Sequence, residues 1–204
     1  MAMIRGNLFF APGVQMAGLD FDDCDSLIDA FAKRVKGLFI EPIQFLRNAP
    51  RREGALFASA LLTAALIESI ARAEEMGEEE QPIAAWLLRR VPEFEVKVGP
   101  EGARTAADIF EERFRNGLAH SGYVASLGRL SEDIGGTVQI AGGIVTVNPF
   151  LLVEAVEAAF DKFLSELRDG RRDKRRFAYN LKEQFQGEVK RAKKEATAIR
   201  RDLR

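Results

Sequence analysis

An arginine, a carboxamide and an imidazole fall within six consecutive positions of this chain: Arg115, Asn116 and His120, in the run Phe114-Arg115-Asn116-Gly117-Leu118-Ala119-His120-Ser121-Gly122. A guanidinium is a permanent cation whose fork of donors matches the oxygens of a phosphate, and an imidazole exchanges a proton near neutral pH. Together they suit phosphodiester chemistry, the cation offsetting charge on phosphorus oxygens while the imidazole moves a proton. His120 is the sole histidine of the 204 residues. A lone histidine is most often a hydrogen-bonded structural residue, so the functional reading rests on the company it keeps.

Helical geometry both supports and limits that reading. At about 100° per residue, Asn116 and His120 stand roughly 40° apart around an ideal α-helix, and Arg115 and His120 roughly 140°. Arg115 therefore joins the pair only if its long side chain swings across or if the helix ends before His120, and Ser121-Gly122 supplies such an ending. The structural alternative pairs Arg115 with Glu111 one turn back and leaves His120 to cap carbonyls at the helix end.

The elements around the run are read from periodicity. Thr105 with Asp108 three residues on forms a capping-box pattern that opens the motif helix, and Ile109, Phe110, Phe114 and Leu118 make its buried stripe. Upstream, the aspartates around Asp22 suit a helix start, followed by Leu27, Ile28, Phe31, Val35, Leu38 and Phe39 at helical spacing; Pro42 interrupts this helix, and Asn48-Ala49-Pro50 is a loop. A second helix runs from about Arg52 to Met76. It is apolar nearly all round between Leu56 and Ile70, which implies burial; Glu68 is the odd residue there and needs a cation, with an arginine within reach. Gly77 and Glu78 to Glu80 read as a solvated turn, Pro82 opens a short helix with a packed Trp86, and Gly99 to Gly102 is a loop. After the motif, Thr137 to Val147 reads as a hairpin. Its glycines lack the GxxxxGK[ST] pattern of a phosphate loop. Asn148-Pro149 starts a last core helix with Leu151, Leu152, Val156, Phe160, Phe163, Leu164 and Leu167 on one face, and Gly170 ends it.

The fold expected is mainly α: a helical domain over 20–168 with a small hairpin after the motif helix, an irregular lead over 1–19 and an appended basic amphipathic helix over 169–204. Residues 168–204 carry 14 Lys and Arg against 6 Asp and Glu, which leaves 16 basic and 25 acidic residues before them, so a net charge of -1 conceals an acidic body and a basic tail. Arg171, Arg172, Lys174, Arg175 and Arg176 open that tail and are its candidate RNA-binding residues. The stripe Phe177, Leu181, Phe185, Val189, Ala192, Ala196, Ile199 and Leu203 follows. It serves packing on the parent domain, a coiled coil with a second copy, or presentation of the basic face to RNA phosphates. Ala192 and Ala196 thin the apolar face, which argues against a membrane-surface role.

Composition excludes several classes. One cysteine, Cys24, sits among Asp22, Asp23 and Asp25, whose charges disfavour a thiolate, and permits no internal disulfide. One histidine and one cysteine do not make a zinc cluster, so no metal and no cofactor are expected. Met1 to Phe10 is too short and too weakly apolar for a secretion signal, and Ala55 to Ala71 is interrupted by Ser59, Thr63 and Glu68. A soluble cytoplasmic protein with no membrane partner is the expectation.

Arg-Asn-x-x-x-His near the end of an amphipathic helix resembles the Arg-x4-6-His signature of HEPN domains, all-helical modules widespread in prokaryotic defence and toxin systems. Those motifs commonly carry a polar residue directly after the arginine, so Arg115, Asn116 and His120 occupy the three matching positions. The order of elements agrees over roughly residues 20 to 168. The resemblance implies a metal-independent endoribonuclease in which a 2′-hydroxyl attacks the adjacent phosphate and a cyclic phosphate end is left. His120 would transfer the proton, Arg115 would hold the scissile phosphate, and Asn116 would orient the imidazole or a phosphate oxygen. It further implies RNA as partner, a homodimer with a composite site, a role as toxin or defence effector, and an antitoxin or other regulatory partner. Two alternatives stand beside it. One is a non-catalytic HEPN-like RNA-binding or assembly module with Arg115 and His120 structural. The other is a charge-only RNA binder, which would bind with a steep salt dependence and leave the RNA intact.

Overall fold

Helical periodicity is realised along most of the chain in the computed structural model, which describes residues 3–4, 7–50, 52–74, 81–99 and 103–202. In chain order, strands β1 (Met3–Ile4), β2 (Asn7–Ala11) and β3 (Val14–Gln15) precede helix α1 (Cys24–Val35), which passes through a wide π-wound turn (Lys36–Ile40) into α2 (Glu41–Leu46). Next come α3 (Arg52–Glu74), α4 (Pro82–Arg90), the paired strands β4 (Lys97–Val98) and β5 (Arg104–Thr105), and α5 (Ala106–Ile109). Helix α5 continues into two further π-wound stretches, Phe110–Arg115 and Gly117–Ser121. Strands β6 (Gly128–Leu130), β7 (Val138–Ala141) and β8 (Ile144–Val147) follow, then α6 (Pro149–Arg168) and α7 (Lys174–Asp202). The expected helix end at Met76, the acidic turn from Gly77 to Glu80, most of the Gly99–Gly102 loop and Leu203 lie outside the described residues.

The chain divides into two compact units, one of residues 1–38, 73–75 and 163–204, the other of 39–72 and 76–162. This division departs from the expected boundaries. In the first unit the lead is not irregular: β2 turns through Gly13, at a positive φ of 72°, into β3. Phe10, Ala11 and Met16 are buried there beside Leu27, Ile28, Phe31 and Val35 of α1. Helix α7 is not an appendage either, because Phe177, Leu181, Val189 and Ala192 of its stripe are buried in the same core. Phe177 packs edge-on to Phe31 and Phe163, at ring distances of 5.6 and 6.0 Å. Arg34 is held between the rings of Phe10 and Phe185 and donates to the Phe10 carbonyl at 2.6 Å. Gly37 has the chain packed on it so closely that a Cβ would stand 2.6 Å from Pro12.

The second unit is built on α3. By length and by a mean hydropathy of 1.8 over its most apolar stretch, α3 would suffice to cross a membrane, but half of that stretch is buried within the protein. Ser59 and Thr63 are fully buried on it, the Thr63 hydroxyl donating to the Ser59 carbonyl at 2.7 Å. We read it as a core helix. The expected hairpin is β7 and β8, paired antiparallel with Val138 opposite Val147 and Ala141 opposite Ile144. Its two-residue turn uses Gly142 and Gly143, both at positive φ, as a primed turn requires. Strand β6 adds in parallel to β8, giving the order β6-β8-β7. Asn148 caps α6, its side-chain oxygen accepting from the N–H groups of Phe150 and Leu151.

Candidate functional site

Arg115, Asn116 and His120 lie in the second unit, on the helix that Thr105 and Asp108 open. The Thr105 hydroxyl accepts from the Asp108 N–H at 3.1 Å while the Asp108 carboxylate accepts from the Thr105 N–H at 2.6 Å, the full capping box. One turn later the winding widens. The Asn116 N–H donates to the Glu111 carbonyl and the Gly122 N–H to the Gly117 carbonyl, both five residues back. Such π-wound turns are rare and concentrate at functional positions.

The widening changes which residues share a face. In an α-helix positions four apart stack, whereas bonds closed over five residues bring positions five apart into near register. Arg115 and His120 are five apart. The two escapes expected from ideal geometry, a swinging arginine or a helix ending before the histidine, are replaced by a third: the turn itself is enlarged. The same change separates Arg115 from Glu111, so the pairing expected between them does not form.

Arg115 bonds instead across the unit to Glu68 of α3. Its Nη2 and Nε donate to Glu68 Oε2 at 2.9 and 3.3 Å, and its Nη1 donates to Asn116 Oδ1 at 2.9 Å. Glu68 is the odd glutamate of the apolar helix, and its other oxygen takes the Arg72 guanidinium at 2.9 Å. Burial alone would raise the Glu68 carboxyl; the hydrogen bonds and charges of Arg72 and Arg115 outweigh it and hold the group below its ordinary value. A guanidinium has five N–H donors, and three of those on Arg115 are used, so two are without a partner among the described residues. Its side chain remains 31% exposed.

Glu111 has a separate task that sequence reading missed. It is buried, and its carboxylate accepts the Ala84 N–H at 2.7 Å at the start of α4, with a further backbone bond from Ile83. Gln81, the residue before that helix, makes no side-chain cap, so Glu111 caps it from a distance. A Pro-opened helix without Ser, Thr, Asp or Asn before it was the available signal. Burial raises the Glu111 carboxyl above its ordinary value, with the neighbouring Glu68 charge adding to the effect and the two backbone donors and Arg115 opposing it.

His120 is exposed in the last turn, just before Gly122, whose φ of 69° ends the helix in the left-handed region. The chain then doubles back over Gly117. A Cβ on Gly117 would stand 2.5 Å from the Tyr123 carbonyl oxygen, and the Ala125 N–H reaches the Arg113 carbonyl at 3.1 Å. Leu127 follows with a φ of 73°, a strained value for a branched side chain. The motif turn is thus closed on one side by a loop that only glycine at 117 admits. Against known proteins, the chain matches no family model, no curated protein and no solved structure.

The basic residues proposed from the sequence to meet RNA lie in the first unit and separate into two groups. Arg171 pairs with Asp169 at 2.9 Å, Arg172 with Glu166 at 2.6 Å and Glu74 at 3.5 Å, and Lys174 with Asp25 at 2.7 Å. Arg175 and Arg176 are exposed and have no ion pair among the described residues. Cys24 is half-buried and free.

Proposed function

We propose that the protein is a metal-independent endoribonuclease of HEPN type acting through Arg115, Asn116 and His120, with toxin or defence function as the corresponding biological role. The observation that supports the reading best is the π-wound turn, which puts the guanidinium and the imidazole one wide turn apart with the imidazole exposed. In this reading His120 moves the proton of the attacking 2′-hydroxyl and returns one to the leaving oxygen. Arg115 offers its two uncommitted N–H groups to the phosphate and offsets its growing charge. Asn116 accepts from Arg115 and so orients the guanidinium rather than the imidazole. A second copy bringing its own turn to a shared site and a regulatory partner belong to the same proposal.

A specific contact favours a second reading. Arg115 is held by a half-buried carboxylate, as expected of a residue whose work is to tie the motif helix to α3 in a non-catalytic RNA-binding or assembly module. The test is cleavage of mixed tRNA and single-stranded RNA in EDTA by the parent, His120→Ala and Arg115→Ala, each checked for folding by circular dichroism. Removing Arg115 alone leaves Glu68 short of a partner, so Arg115→Ala is also made with Glu68→Gln. The nuclease reading expects cleavage that falls by a factor of about 10² to 10⁴ in every folded variant. Intact RNA with the parent, or unchanged cleavage in His120→Ala, assigns the motif to structure.

A further inference from the structure

A second place in the molecule combines aromatic rings with unpaired cations. Between the segment that leads into α1 and the first turns of α7 lies a cavity of about 290 Å³ lined by Phe21, Asp22, Cys24, Arg175, Tyr179 and Lys182. Tyr179 is 57% exposed although it stands next to the buried Ala178 and Asn180. The cavity is preformed, because the Lys174–Asp25 ion pair at 2.7 Å and the Arg168–Asp29 pair at 2.9 Å fasten this end of α7 and the helix before it to α1.

The lining continues along α7. Arg175, Tyr179, Lys182, Gln186, Lys190 and Lys193 recur at intervals of four, three, four, four and three, a single helical face running roughly 27 Å. Arg175, Lys182, Lys190 and Lys193 are exposed and have no ion pair among the described residues. Glu183 lies at the margin of the stripe and accepts from Gln186.

We infer that this face of α7 with the Phe21–Tyr179 cavity is a binding site for single-stranded RNA. A row of cations spaced along a helix tracks a phosphate backbone, and an exposed tyrosine beside a phenylalanine offers a surface on which an unpaired base stacks. Asp22, the one carboxylate in the lining, presents acceptors suited to an exocyclic amino group of such a base. An anionic membrane is the weaker fit, since a helix lying on lipid must offer its apolar stripe, and that of α7 is buried. The inference does not depend on cleavage.

The test is fluorescence anisotropy with a labelled 12-nucleotide 2′-O-methyl oligoadenylate, which binds as RNA does but lacks the hydroxyl that cleavage consumes. The full chain should bind it. Tyr179→Ala should weaken binding by about ten-fold or more, and Tyr179→Phe, which keeps the ring, should restore it. Arg175→Ala with Lys182→Ala should lower the salt slope by about two. The substituted side chains are on the surface, and circular dichroism verifies that the variants fold. Failure of the folded parent to bind, equal binding by parent and Tyr179→Ala, or variant-sensitive binding to phosphatidylserine vesicles in place of the oligomer overturns the proposal. His120→Ala should bind as the parent does, so loss of the nuclease reading leaves this one standing.

Discussion

The chain widens its helices at two places, and the causes differ. Between Lys36 and Ile40 the wide turn precedes Pro42, which has no N–H to give and whose ring crowds the carbonyl four residues back, so the cause is local. Between Phe110 and Ser121 there is no proline. That stretch is held open from outside, by Glu111 bonded to the start of α4, Arg115 bonded to Glu68 and a return loop pressed on Gly117. A turn widened by its own sequence persists whatever surrounds it, whereas one widened by its contacts is an arrangement of several residues and fails when any of them is removed. The second kind is what a site requires when its side chains must stand five residues apart.

The largest break in the comparison should come from Gly117→Ala. A Cβ at 2.5 Å from the Tyr123 carbonyl meets backbone rather than a movable side-chain end, so the return loop must lift or the turn must rewind. The expected loss is about 2–3 kcal/mol in urea unfolding, as for other overpacked sites. Cleavage, where the parent cleaves, should fall with it. A stability within about 0.5 kcal/mol of the parent would mean that the loop does not hold the turn.

Much of the fold was legible because it is local. The capping box at Thr105, the Asn148 cap, the Gly142-Gly143 hairpin turn and the apolar stripe of α7 are each written within a few residues of where they act. The lead strands were not legible, since Leu8 to Ala11 has no strand alternation and acquires its pairing from β3 and its burial from α1 and α7. At the site, the three residues and the importance of Glu68 could be read, but the partner of Arg115 could not. Assigning it to Glu111 follows from α-helical spacing, and the winding is set by contacts with α3 and α4 that no window of sequence contains.

A gentler way to sharpen the comparison uses pH on the two carboxylates that anchor the wide turn. Glu68 titrates below its ordinary value of 4.5, so the stability its pairing with Arg72 and Arg115 supplies is present above that value and is lost as the pH falls through the lowered one. Glu111 titrates above 4.5; ionising it in place opposes folding, so its contribution is best below 4.5 and declines as the pH rises through the raised value. Chemical denaturation across this range should show Glu68→Gln gaining on the parent as the medium is acidified. Glu111→Gln should gain as the pH rises. Parallel profiles for parent and both variants would remove these carboxylates as the electrostatic anchors of the turn.

The smallest effect is expected where the cause is local. Pro42→Ala supplies the missing N–H and removes the ring, so the helix before it is free to tighten and close a bond to the Leu38 carbonyl. That bond is worth about 1 kcal/mol. It is offset by the loss of about 0.4–1 kcal/mol that proline contributes by restricting the unfolded chain. The two nearly cancel, and the unfolding midpoint should hardly move while the amide introduced at position 42 becomes protected from exchange. The motif turn should be indifferent to the substitution, since none of its anchors involves Pro42. A Lys36–Ile40 turn that stays wide in Pro42→Ala, read from a position-42 amide that exchanges freely, would show that it too is held by its surroundings, and the contrast between the two wide turns would disappear.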